Sequence, residues 1–318
     1  MRFKKIFVLT LIFFGFVYGE EKSNEHLSLP DKFQEKIKES VLNLSEKIDL
    51  FFSGENELPE DYENQTYLKI YTGFLHNEHE GTQGIFRFKL NLRLKRTEKK
   101  LNLVVSNLVD KLTQRDLTED EFILSQQQKQ EQQSVALVYF FNPIKNILKP
   151  TLTVGLRLPL KYYIRLKFEI PFKFLGLEFE PAQYFEYRFN GFIEKTRLYI
   201  DKKLSDRKLI RFHIERYKQD GDGSMRFISR IGYYRLWDYS QGFSVSAGIF
   251  GQSWEHPKIL NQTIQFKFKK RFWKPWLFYE ISPGWEFPEE RGYKSSFFVR
   301  FWFEFFFGKE SILETTGF

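Results

Sequence analysis

Phe297-Phe298-Val299-Arg300-Phe301-Trp302-Phe303-Glu304-Phe305-Phe306-Phe307 is the stretch on which the reading of this chain turns. Its odd-numbered positions are wholly apolar, whereas the even-numbered ones hold Arg300 and Glu304 among aromatics. A strand sends successive side chains to opposite faces. One face is therefore a continuous apolar band, and the other carries charges of both signs. A soluble sheet has to bury that band in a core. A membrane barrel turns it toward lipid and keeps the charges in its lumen.

The same period recurs along most of the chain. Phe86, Phe88, Leu90, Leu92 and Leu94 alternate with Arg87, Lys89, Asn91, Arg93 and Lys95. The polar turn Arg96-Thr97-Glu98 follows, and Leu101, Leu103 and Val105 resume the alternation. Counting from Tyr67, further strands are predicted at 134–142, 150–158, 162–174, 178–190, 192–203, 207–218, 225–235, 242–253, 260–271, 275–286 and 294–307. Turn residues separate them, among them Asn190-Gly191, Ser205-Asp206, Gln219–Gly223 and Asp238–Gly242. The expected fold is all-β: an antiparallel, up-and-down transmembrane barrel of about 14 strands, with 12 as the rival count, since bacterial barrels use even numbers. The longest connection, 108–133, ends in a glutamine-rich run at Gln126–Gln133 and falls on the outer side.

Composition agrees with alternation. There are 38 Phe, 16 Tyr and 6 Trp, yet the mean hydropathy is −0.44. So many rings beside so many charges do not fit one soluble core. No stretch after the N-terminus has the ~18 consecutive apolar residues of a spanning helix, so a membrane reading has to be a barrel reading.

The N-terminus reads as an export signal, residues 1–19: Arg2, Lys4 and Lys5, the apolar run Ile6–Val17, then Val17-Tyr18-Gly19 before a cut ahead of Glu20. Removing it takes three of the 49 basic residues, leaving 46 against 41 acidic, or +5. With no Cys, there is no lipid attachment site and no disulfide framework. Residues 20–66 read as a periplasmic helix and linker. Phe33, Ile37, Val41, Leu44, Ile48, Phe51 and Phe52 have helical spacing, Pro30 suits the start, and Gly54 suits the stop. The helix has three candidate roles: a lid, a partner-binding helix, or a plug inside the barrel. Residues 67–308 form the barrel and 309–318 a C-terminal tail.

Turning the apolar parity to lipid leaves a charged interior. Its candidate lumen-lining residues are Arg87, Lys89, Arg93, Arg157, Arg165, Glu186, Arg188, Arg197, Arg211, Glu215, Arg226, Arg230, Lys267, Arg300 and Glu304, joined by Lys167, Glu169, Lys195 and Glu280. An Arg-rich wet lumen favours anions, while the same charges paired with one another fill a narrow barrel. Tyr162-Tyr163, Tyr233-Tyr234, Trp237, Trp273, Trp276, Trp285 and Tyr293 sit near strand ends and suggest interfacial girdles. Two histidine groups offer alternatives. His76 and His79 with Glu78 and Glu80 form a loop cluster of cation-ligand type, and Arg211-His213-Glu215 share one strand face as a general-base candidate. No matched serine, phosphate-cradling glycine loop or Cys-based metal motif accompanies them, so no cofactor and no metal is expected. The basic residues are spread over strands rather than gathered in a nucleic-acid module.

An export leader, an amphipathic first helix and a full set of alternating strands together resemble bacterial outer-membrane β-barrel proteins. Phe303-Glu304-Phe305-Phe306-Phe307 resembles the aromatic closing-strand signal that the barrel-assembly machinery reads. Ile48–Phe52, Leu90–Leu101 and Gly155–Leu160 are similar to a group of uncharacterised barrels of Gram-negative bacteria. The resemblance implies an outer-membrane location, with outer-membrane lipid, lipopolysaccharide and the assembly machinery as partners. The expected role is a porin-like passive channel or an envelope structural protein with a basic lumen. A lipid-acting barrel enzyme and a soluble periplasmic β-protein that binds a partner stand as alternatives.

Overall fold

The computed structural model describes residues 28–53, 66–94, 101–107, 133–158 and 161–308, apart from 146, 190, 222, 239 and 254–255 within turns. Of the helix, side chains are described through Leu44. The predicted export signal, the linker after the helix, the 108–132 connection with its glutamine run, the Arg96-Thr97-Glu98 turn and the C-terminal tail lie outside these residues.

Among the described residues one helix, α1 (Leu29–Ser53), precedes the strands. They are β1 (Tyr67–Asn77), β2 (Gly81–Leu94), β3 (Leu101–Ser106), β4 (Ser134–Phe140) and β5 (Lys149–Arg157). Then come β6 (Lys161–Glu169), β7 (Phe172–Phe174), β8 (Leu177–Arg188), β9 (Gly191–Ser205) and β10 (Lys208–Gln219). β11 (Met225–Asp238), β12 (Gln241–Ser253), β13 (Pro257–Arg271), β14 (Leu277–Pro288) and β15 (Ser296–Gly308) complete the set. Every pairing is antiparallel and, apart from β6 with β8, between neighbours in the chain, and β1 also pairs with β15, which closes the cylinder. β6 and β7 both pair with β8, at successive heights. They are two halves of one stave, interrupted at Ile170-Pro171, where proline has no N–H to give the ladder. The barrel thus has 14 staves. The sequence placed the 162–174 stave as one strand and so reached this count.

Register assigns the faces. Lys69, Lys89 and Glu304 face one way, and their chain neighbours Leu68, Leu90 and Phe305 face the other. Followed round the ring, the first face is buried at mid-height along its charged and aromatic residues, whereas the second exposes Phe74, Phe86, Val154, Ile164, Ile231, Ile264, Phe266 and Ile281. This inverts a soluble protein, and apolar exposure on this scale is a surface built for hydrocarbon. The outward positions 297–307 of β15 rise about 25 Å at ~3.3 Å per residue and ~40° tilt, the height of a lipid-facing belt.

Inside, rings lie over glycines of the next strand. A side chain at Gly155 would meet the Tyr163 ring at 2.5 Å, and one at Gly284 would meet the Phe298 ring at 2.4 Å. Adjacent residues of a strand point opposite ways, so the paired tyrosines of the predicted girdles divide: Tyr162 is exposed on the outer face, while Tyr163 is buried over Gly155. Trp237, Trp273 and Trp285 are exposed; Trp237 packs on the outward Phe243 and Phe268, and Trp285 follows the outward register of β14.

The helix is not a plug. Ile37 and Val41 cluster with Leu68, Leu92 and Phe307, and Ile70, Leu90, Leu103 and Phe305 border that cluster. All of these strand residues belong to the outward parity. So α1 lies against the outer wall over the β15–β1–β2 seam, at the rim where β1 begins and β15 ends. Leu92, outward-facing yet 1% exposed, shows how completely the helix covers it. Ser28 accepts the first helical N–H, from Lys32, at 2.9 Å. Asp31 ties the helix start to the β13–β14 turn, accepting from Lys274 Nζ and from Trp276 Nε1 (3.4 Å).

Candidate functional site: the inner wall

All fifteen candidate lumen residues lie on the inward face by register, as do Lys167, Glu169, Lys195 and Glu280. They form lateral ladders in which cations, carboxylates and rings alternate between neighbouring strands. In the first ladder Glu186 of β8 accepts from Arg157 (3.2 Å), from Arg165 (2.5 Å) and from Arg188. The Arg157 and Arg165 guanidiniums stand 4.4 and 5.6 Å from the Tyr163 ring centre.

A second ladder runs over β6, β8, β9 and β10. Arg197 sits between the Tyr184 and Tyr199 rings (5.4 and 4.6 Å) and approaches Glu180 and Glu169 at 3.7 and 3.8 Å. Arg211 makes a two-pronged bond to Asp201 (2.7 and 2.6 Å). Lys195 reaches Glu215 at 2.8 Å. His213 stacks on Tyr199 (4.6 Å), and its Nε2 lies 3.9 Å from Glu215. Its cross-strand partners are Tyr199 and Arg230, not a serine or threonine. Arg226 stands opposite Tyr217 one pleat further on.

A third ladder flanks the seam. Glu304 is held by Lys269 (2.6 Å) and Lys69 (3.6 Å). Glu280 accepts from Arg300 (2.8 Å) and from the Ser282 hydroxyl (3.0 Å), with Lys267 and Lys269 also acting on it. Arg300 lies 4.0 Å from the Trp302 ring centre and Arg87 6.0 Å from it. Lys89 lies 5.9 Å from Tyr67. Arg93 follows on β2, and its backbone N–H donates to Thr66 Oγ1 at 3.1 Å.

Reading the sequence for charge missed Lys69, Lys269, Asp201 and Glu286, although each shares its strand's inward parity. It also missed the ring partners Tyr163, Tyr184, Tyr199 and Trp302, because an aromatic on the inward parity looks like any strand aromatic until its neighbour is known. The His76–Glu80 group is turn architecture. His76 Nδ1 lies 2.8 Å from Thr82 Oγ1, Glu78 accepts the Phe297 N–H at 3.1 Å, and Asn77 Oδ1 accepts the His79 and Glu80 N–H groups. Among the described residues no three potential metal ligands converge.

A closed antiparallel cylinder with an apolar exterior and a charged interior defines a transmembrane β-barrel. No protein-family model matches the chain, and no curated protein does. Solved structures do. In-vitro folded OmpT, an outer membrane protein of Vibrio cholerae, aligns over 79% of this chain and 100% of its own at 7% identity, TM-score 0.46. The outer membrane channel DcaP of Acinetobacter baumannii aligns over 77% and 99% at 7% identity, TM-score 0.46. The NanC porin aligns over 75% and 98% at 8% identity, TM-score 0.36. At such identities and scores, function has to be argued from the residues of this chain.

Proposed function

We propose that this protein is an outer-membrane barrel that passes small anions through a narrow, basic lumen. The observation that carries the reading is the inward face, where basic side chains outnumber acidic ones around a closed ring. Fourteen staves about 4.8 Å apart, tilted by about 40°, enclose roughly 28 Å across the backbone. Eight-stranded barrels are just filled by their own side chains, and 16-stranded ones leave a channel. Fourteen staves lie nearer the second case. Long Arg and Lys side chains lying flat on tyrosine rings narrow the space and set a positive potential along it. On this reading the rim with α1, the start of β1 and the end of β15 is periplasmic, the chain carries an export signal, and the assembly machinery and lipopolysaccharide are partners.

One observation favours a second reading. The mid-height charges are deeply buried, Arg197 to 1% and Glu186 to 2% exposure, as in a barrel filled by its own ion pairs for envelope integrity. Planar-bilayer recording in a KCl gradient separates the two. Small, anion-preferring openings support the channel. Cation preference overturns it, and silence from heat-modifiable, folded protein supports the filled barrel.

A further inference from the structure

One sector of the outer wall breaks the apolar belt. On β9 the outward residues between Lys202 and Thr196 are only Ile200 and Leu198. On β10 those between Lys208 and Arg216 are Ile210, Phe212 and Ile214. At ~3.3 Å per residue and ~40° tilt these gaps span about 15 and 20 Å; the longer is matched on β13 between Gln262 and Lys270, and the shorter, on β9, falls below the run of about 25 Å on β15.

The interruption is an organised network. Thr196 donates to Gln183 Oε1 (2.6 Å), and Gln183 Nε2 donates to Glu194 (3.1 Å). Arg216 donates to Thr196 (2.9 Å) and to Glu194 (3.1 Å). All four side chains follow the outward parity of β8, β9 and β10, and Arg216 remains 54% exposed and Glu194 39%. Charges facing acyl chains cost free energy that rises with depth. Lipid is therefore a poor neighbour for this patch above Leu198.

We propose that this face meets a second copy of the chain, in an isologous contact inside the membrane. A two-fold interface needs a self-complementary patch, in which each residue type meets its complement on the partner. This patch holds a cation, a carboxylate, a hydroxyl and an amide side by side, so one copy's Arg216 can reach the other's Glu194 while each keeps its own network. An anionic lipid headgroup, which Lys218 opposite Glu194 on the same face would also attract, is the occupant that absence of the dimer below would favour. The position also leaves α1 free. With β6–β7 counted as one stave, β9 lies seven staves from β1 in either direction, across the barrel from the helix-covered seam.

The chain has no cysteine, so single thiols report cleanly. Leu198→Cys lies one pleat from Thr196 and leaves the network intact. Phe74→Cys, outward on β1, is the control for random collision. In oxidised native outer membranes, L198C is expected to give a disulfide-linked dimer and F74C none. Adding R216E to L198C sets two carboxylates together and abolishes the dimer, and the swap E194R/R216E restores it, with heat-modifiability unchanged throughout. No dimer from folded L198C, or equal dimer from F74C, overturns the proposal. A dimer that survives R216E also overturns it, since the polar network would then play no part.

Discussion

Glu280→Gln tests how dry the inner wall is. Glu280 and Arg300 are each 3% exposed and bonded at 2.8 Å, and Lys267 and Lys269 also act on the carboxylate. Neutralising Glu280 takes away the carboxylate that Arg300 bonds, while Lys269 keeps Glu304 at 2.6 Å. Breaking a buried pair in this way costs about 3–5 kcal/mol, whereas a pair that water reaches is worth about 0–1 kcal/mol. Arg300→Met is the milder change, because Glu280 keeps both lysines and the Ser282 hydroxyl. Its cost is about 1.5–3 kcal/mol, that of one charge-assisted hydrogen bond. Reversible urea unfolding from lipid vesicles, followed by tryptophan fluorescence, measures both. The account predicts that E280Q is the more destabilising of the two. A loss below ~1 kcal/mol for E280Q shows a fully wet pair and refutes the dry-wall reasoning, as does R300M being the costlier change.

Two further outcomes follow from the geometry. The bond from Lys274, and next the Ser28 hydroxyl, hold the Asp31 carboxyl below its ordinary value of 3.8. A carboxylate depressed in the docked state stabilises docking above its free pKa, and that contribution disappears as pH falls through the lowered value. A nitroxide at Ser40, exposed on α1, is therefore immobile at neutral pH and gains a mobile fraction below about pH 4, whereas D31N carries that fraction already at pH 7; spectra identical at both pH values contradict this. Gly155→Ala drives a methyl into the buried Tyr163 ring, 2.5 Å from its site, and overpacking of this kind costs about 1–3 kcal/mol in the same urea assay; an unchanged midpoint contradicts the ring-over-glycine packing.

The staves were legible because a period of two, with aromatics and turn residues, survives in a single sequence. Inward-facing positions followed from parity alone, which is why Arg157, Glu186 and Arg300 were named before their partners were known. The helix was legible in spacing but not in place. Ile37 and Val41 fit any apolar surface, and only their contact with Leu68, Leu92 and Phe307 puts α1 outside the cylinder. The start of β2 was hidden because Gly81-Thr82-Gln83-Gly84 carries no apolar alternation, and there the strand extends beyond the belt. The polar network on β8–β10 went unread because each of its residues is ordinary in its own strand. Its meaning depends on three strands sharing one height.

The claim beneath the whole account is that the odd-numbered residues of β15 beyond the cover of α1, 297 to 303, meet acyl chains. Nitroxides placed one at a time from 297 to 307 in the cysteine-free chain, reconstituted in lipid, measure this directly through collision with dissolved oxygen against a water-soluble nickel chelate. The account predicts high oxygen and low nickel accessibility at 297, 299, 301 and 303, alternating with protection at 298, 300 and 302, and lower oxygen accessibility at 305 and 307 beneath α1. Equal protection of both parities from oxygen would mean the rings are buried in a protein core and would contradict the transmembrane barrel.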